Sequence, residues 1–178
     1  MGNETSPVHF VCTHDEARVL VKNASGFWVS NCGCRERKGS CARSRMDVCL
    51  MLEDTEPTGS GKRPLARPEA EKLLAEAEAA GLVARPFRNA AGAAAGVCFC
   101  CDDCCAYFLD RSEACDKGAM ISVTDPDVCT HCGNCVPACR FGARTIEDDR
   151  LAFDAGACYG CGLCVEECPL ECIEMQPR

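Results

Sequence analysis

The sequence predicts an α+β chain in two parts. Residues 1–118 read as a small, cysteine-rich, partly helical metal-binding domain, and residues 119–178 as a second domain built on an internal repeat. Three observations carry this. Eight C-terminal cysteines occur at one spacing used twice, each 29 residues after its counterpart. Nine more cysteines fall between Cys32 and Cys105. One clear helical pattern, Pro68–Ala80, separates the two groups of that N-terminal set.

Composition bounds the answer. The chain has 178 residues, of which 20 are cysteine and only 6% aromatic. A core this poor in large side chains implies that metal coordination supplies much of the stability. Residues 1–12 lack a basic start followed by an apolar run, so no signal peptide is expected, and no stretch is apolar enough to span a membrane. The expectation is a reducing cytoplasm in which thiols serve metals rather than disulfides. The net charge is −8, and the residues from Ala119 on carry ten acids against four bases. That argues against nucleic-acid binding and suits docking on a basic patch of a redox partner protein.

Residues 1–12 are expected to be extended. Thr13-His14-Asp15-Glu16 has the pattern of a capping box, opening a helix to about Asn23 with Val19 and Leu20 inward. Cys12 and His14 are read as a buried thiol and an exposed cap histidine, not as ligands. Phe27-Trp28-Val29 is strand-like. Cys32-Gly33-Cys34-Arg35 follows, with Cys41 and Cys49 beyond. Gly33 allows a tight fold that turns both thiols to one metal. Five bases between Arg35 and Arg45 favour the thiolate form that a metal needs. Thr58-Gly59-Ser60-Gly61-Lys62 lacks the flanking Gly and Ser/Thr of a phosphate loop and reads as a linker.

In the Pro68–Ala80 helix, Ala70, Leu73, Leu74 and Ala77 form the apolar stripe, and Gly81 terminates it. Asn89–Gly96 is an Ala/Gly loop. Then come Cys98, Cys100, Cys101, Cys104 and Cys105 within eight residues. Neighbouring side chains diverge, so these five thiols must serve more than one centre. A short helix is expected over Ala106–Glu113, with Tyr107 and Phe108 packing. Cys115 reads as core. The nine cysteines Cys32, Cys34, Cys41, Cys49, Cys98, Cys100, Cys101, Cys104 and Cys105 are the predicted ligands of one or two additional iron–sulfur clusters, with zinc as the alternative.

The C-terminal motif reads Cys129-x2-Cys132-x2-Cys135-x3-Cys139 and Cys158-x2-Cys161-x2-Cys164-x3-Cys168-Pro169. A cubane cluster needs four converging thiolates, three of which can come from closely spaced positions. On this motif, residues from about Ile121 to Pro177 resemble the bacterial two-[4Fe–4S] ferredoxin domain. The resemblance implies two [4Fe–4S] clusters in a (βαβ)2 fold. It assigns Cys129, Cys132, Cys135 and Cys168 to one cluster, and Cys158, Cys161, Cys164 and Cys139 to the other. One departure is Arg140 in place of the proline that follows the fourth cysteine in the second motif. A cation there is expected to raise a cluster's potential. The pairing strands are expected at Ile121–Val123 with Cys172–Met175, and at Thr145–Ile146 with Leu151–Phe153. Cys172 is assigned to packing, as are His131 and Tyr159. Residues from Cys32 to Cys105 also resemble the N-terminal half of cysteine-rich ferredoxin-like proteins of anaerobic bacteria, which implies a module fused ahead of a ferredoxin.

The function expected is single-electron transfer at low potential, with no catalytic residue assigned. No nucleotide, flavin or haem motif is present, so electrons come from another protein. Two other readings stand beside it. One is a redox enzyme whose N-terminal cluster reduces a small substrate. The other is a structural zinc module that docks the ferredoxin.

Overall fold

The computed structural model describes residues 8–110 and 114–178. The expected extended start over 1–7 and the end of the 106–113 helix lie outside them. In chain order the elements are β1 (His9–Phe10), α1 (His14–Asn23), β2 (Trp28–Ser30), α2 (Gly33–Lys38), β3 (Cys49–Met51) and β4 (Arg63–Pro64). They continue with α3 (Arg67–Ala79), β5 (Val83–Arg88), β6 (Ala94–Cys100), α4 (Ala106–Asp110) and β7 (Cys115–Asp116). The last set is β8 (Met120–Thr124), α5 (Cys135–Ala138), β9 (Arg144–Glu147), β10 (Arg150–Phe153), α6 (Leu163–Glu166) and β11 (Ile173–Pro177).

The N-terminal part is organised on a seven-stranded sheet in the order β4-β2-β3-β6-β5-β1-β7. All neighbours are antiparallel except β1 and β7. Helices α1 and α3 cover one face. Ala17 and Val21 of α1 and Ala70, Leu73, Leu74 and Ala77 of α3 share a core with Val29, Leu50, Ala84, Val97 and Phe99. Alternation along each strand sends the neighbouring residues to the opposite face. There Cys98 lies across from Arg85, and Cys100 across from Val83. Cys49 and Ser30 flank Leu50 and Val29 in the same way. One face is therefore helix-packed hydrocarbon, and the other carries thiols.

Thr13 caps α1 with the full reciprocal box: the Glu16 amide donates to Thr13 Oγ1, and the Thr13 amide donates to Glu16 Oε2. The inward face of this helix differs from the expectation. His14, Ala17 and Val21 are buried, whereas Val19 is 55% exposed. A spacing of three and four residues from His14 points at the sheet, and Val19 falls outside it. His14 is thus not an exposed cap histidine. It bonds the Leu82 carbonyl through Nε2 at 2.8 Å and stacks on Phe99. The α3 stripe and its Gly81 terminator, at φ +60°, match the sequence reading.

The Ala/Gly loop is shorter than expected. Asn89 to Ala93 turns, with the Ala91 and Ala93 amides donating to Asn89 Oδ1. Ala94–Gly96 then belongs to β6. Gly96 is required there: a Cβ would stand 2.4 Å from the Leu50 carbonyl oxygen and 2.3 Å from the Phe87 ring. Gly33 has a similar reason, since a Cβ would meet the Thr58 carbonyl oxygen at 2.4 Å.

The C-terminal part pairs β8 with β11 from Met120↔Pro177 to Thr124↔Ile173, and β9 with β10. Cys172 was expected to open its strand, but β11 begins one residue later, at Ile173. Cys172 is buried, as a packing residue should be. The two parts share a hydrophobic cluster in which Val83, Cys100, Cys105 and Tyr107 meet Phe141 and Leu163.

Candidate metal centres

Two cavities lie in the C-terminal part. Cys129, Cys132, Cys135 and Cys168 line the first, with His131 and Cys172 beside them. Cys139, Cys158, Cys161 and Cys164 line the second, with Ser122, Arg144, Phe141 and Tyr159. Each cavity thus takes three thiols from one motif and the fourth from the other. The loops reach these positions through left-handed residues, with Gly133, Gly160 and Gly162 at φ near +80°.

The donor set fits thiolate-bound iron. No disulfide links any described cysteine. Burial pushes the thiols of Cys135, Cys161 and Cys164 upward, Cys161 to about 12, so a cation is needed to hold them as thiolates. The Ala143 amide donates to Cys139 Sγ at 3.2 Å, and Ser122 Oγ lies 3.8 Å from Cys158 Sγ. Such contacts to cluster sulfurs tune potential. The Leu151 amide donates to His131 Nδ1, which makes that nitrogen an acceptor toward the backbone and leaves Nε2 to carry the proton.

The cation beside these cavities is not the one expected. Arg140 turns away to Asp102 Oδ2 at 3.0 Å and to the Pro137 carbonyl. Arg144 instead is 1% exposed and donates to Ser122 Oγ and Thr124 Oγ1. No carboxylate pairs with it among the described residues, and its Nε has no partner. Its charge acts on both Cys135 of the first cavity and Cys164 of the second.

The nine N-terminal cysteines divide into groups. Cys41, Cys101 and Cys104 converge, with Sγ–Sγ distances of 3.6, 3.3 and 3.6 Å. Cys34 interacts with Cys105 and Cys32, which pull its thiol down to about 2. Cys105 in turn interacts with Cys100. The buried Arg85 donates to Cys100 and Cys105 at 3.8 and 3.6 Å. Cys49 meets Cys98, and that contact, opposed by burial, holds it near 7. Most of these thiols ring a chamber on the thiol face of the sheet. Cys115 lies beside Arg85 at its edge.

The basic loop is not a free cationic surface. Lys38 pairs with Asp103, Arg43 with Asp102, and Arg45 with Asp47 and Glu76. Arg35 is buried, donates to the Phe99 and Arg45 carbonyls, and reaches Cys104. Sequence reasoning missed Arg85 and Arg144, whose neighbours in the chain carry no motif. It also missed an aromatic bridge. Tyr107, on the chamber wall, lies 6.4 Å from both Phe141 and Tyr159, which stack at 4.4 Å on the second cavity.

Comparison with known proteins fits this geometry. The family described as 4Fe-4S dicluster domain matches residues 121–169. Pyruvate synthase subunit PorD of Methanothermobacter marburgensis is 40% identical over 52 residues, 29% of this chain; the chain spans 60% of that subunit's length. A ferredoxin-like protein in the vnf region of Azotobacter vinelandii is 34% identical over 61 residues, 31% of this chain and 94% of that protein. Ferredoxin-1 of Chlorobaculum tepidum is 37% identical over 51 residues, 25% of this chain and 82% of that protein. No solved structure matches the chain significantly. With thiol-lined cavities in the matched segment and near full-length coverage of small ferredoxin-like relatives, the chain belongs, through residues 121–169, to the 4Fe–4S dicluster ferredoxins.

Proposed function

We propose that this protein is a multi-centre electron carrier. In this reading residues 119–178 form a (βαβ)2 ferredoxin with two [4Fe–4S] clusters, held by Cys129, Cys132, Cys135 and Cys168 and by Cys158, Cys161, Cys164 and Cys139. Residues 1–118 form a fused cysteine-rich domain, of the kind found in anaerobic bacteria, with at least one further iron–sulfur centre. The observation that carries the reading is the crossing of the fourth thiols: Cys168 stands with the first triplet and Cys139 with the second. Bound iron–sulfur clusters supply one-electron redox chemistry. The chain's own residues set where it happens. Arg144 and the Ala143 amide stabilise negative charge at the cavities. Exposed Cys132 gives the first cavity a face to a partner, beside the exposed acids Asp125 and Asp127.

The aromatic bridge from Tyr107 to Tyr159 supports a link between the chamber and the second cavity. The neutralised basic loop favours a carrier over an enzyme that binds an anionic substrate there. A soluble redox partner with a basic patch, in a reducing cytoplasm, completes the proposal; the PorD subunit it resembles belongs to a pyruvate synthase. A potentiometric titration followed by electron paramagnetic resonance tests it. Low-potential one-electron signals from two interacting clusters, with a further signal from the N-terminal centre, are expected. A protein with no reversible one-electron couple would sink it.

A further inference from the structure

We propose that Cys41, Cys101 and Cys104 form a mononuclear zinc site at the edge of the thiol-lined chamber, whose wall includes Cys101 and Cys104. The proposal deepens the reading above, since it rests on the N-terminal cysteines holding metal, and it assigns three of them. The three sulfurs make a nearly equilateral triangle with edges of 3.6, 3.3 and 3.6 Å. Donors about 2.3 Å from one tetrahedral zinc lie roughly 3.8 Å apart, close to these edges. Thiolates on a cubane each sit outward of a different iron, so their sulfurs stand farther apart. The same structure supplies the contrast. Among the described residues, no other group of three or more potential metal donors has all its donor atoms within 4.8 Å, and the eight ferredoxin thiols form none.

The surroundings are built for the triangle. Cys101 and Cys104 come from one turn, closed by the Cys105 amide on the Cys101 carbonyl. Cys41 comes from a distant loop that is clipped to that turn twice. Arg43 donates to both oxygens of Asp102 at 3.0 and 2.9 Å, and the Ala42 amide donates to Asp103 Oδ2 at 3.0 Å. The two aspartates are thereby engaged away from the metal position.

Charge gives an independent argument. Arg35 is fully buried, reaches Cys104, and pairs with no carboxylate among the described residues. A buried cation needs a compensating anion. Zinc with three thiolates carries a net charge of −1, which Arg35 neutralises. The fourth position falls to water or another exchangeable ligand, the open form of a zinc site.

Metal analysis of the anaerobically purified full chain, with its ferredoxin clusters fully loaded, is the test. About one zinc per chain is expected. Cys41→Ser should cut zinc at least tenfold with iron unchanged, and Cys132→Ser should lower iron with zinc unchanged. Cobalt substituted into the wild-type protein should show tetrahedral thiolate bands, which guards against a misfolded variant. A wild-type protein without zinc overturns the proposal. So does iron lost in place of zinc in Cys41→Ser, or a Cys101–Cys104 disulfide in the anaerobic protein. Absent ferredoxin signals in a zinc-loaded chain would instead remove the electron-transfer reading and leave the zinc site standing.

Discussion

Arg144 is the buried cation whose charge acts on thiols of both ferredoxin cavities. It occupies a buried position between the two cavities, held by two hydroxyls and lying over the Phe153 ring. A positive charge in a poorly screened setting favours the reduced, more negative cluster. Arg144→Ile should lower the midpoints of both ferredoxin clusters by on the order of 50 mV or more, while Arg144→Lys restores part of the shift. Spectroscopic titration of the three proteins checks it, and unchanged midpoints would show the charge to be compensated. His14 carries a second residue-level expectation. Its pKa is lowered by burial, against the opposing pull of its Leu82 bond. The unfolded chain therefore binds a proton that the folded one resists, so stability is lost as pH falls below the ordinary histidine range near 6.5. The denaturation midpoint of the wild type should drop as the pH falls below about 6.5, relative to His14→Gln, which has no such group. The cysteine spacing pointed to the eight thiols that line the two C-terminal cavities. Arg144 was not legible, because nothing in Ala143-Arg144-Thr145 says that its backbone turns the guanidinium inward.

At the level of elements, signals carried by short-range physics were visible in the sequence. The Thr13 and Glu16 reciprocity and the α3 stripe depend only on three- and four-residue spacing, and both are present. Leu74 is 2% exposed between α3 and the sheet, so Leu74→Ala should cost about 3 kcal/mol, read as a lower denaturation midpoint with cluster content retained. Val19 was placed inward because it is apolar, but the helix phase set by His14, Ala17 and Val21 leaves it in solvent. Strand β6 was hidden for a related reason. Its sequence, Ala94 to Cys100, mixes small residues and thiols, and it becomes a strand through pairing with β3 and β5. Gly96→Ala tests that junction. The added methyl meets backbone and a ring at once, so a loss of about 1–3 kcal/mol is expected, with weakened thiol-face metal binding.

Across the whole molecule, the two parts meet through a shared hydrophobic cluster and the Arg140–Asp102 ion pair, and in the proposed function that meeting turns a ferredoxin into a longer wire. Tyr107, Phe141 and Tyr159 join the chamber to the second cavity, while the first cavity faces outward through Cys132. Under the proposed function, electrons would pass from chamber to second cluster, first cluster and partner, or the reverse. Cys139→Ser should impair the cluster of the Cys158 triplet although it lies in the other motif, and leave the first cluster's signal in place. None of this long-range arrangement was readable beforehand, because the nine N-terminal cysteines are separated by up to 73 positions, from Cys32 to Cys105, and only the sheet brings them together. The central claim is that the N-terminal half adds redox iron to a two-cluster ferredoxin. Iron and acid-labile sulfide counted on the anaerobic full chain test it most directly. The account predicts about twelve of each per chain, and a count that stops at about eight would contradict it.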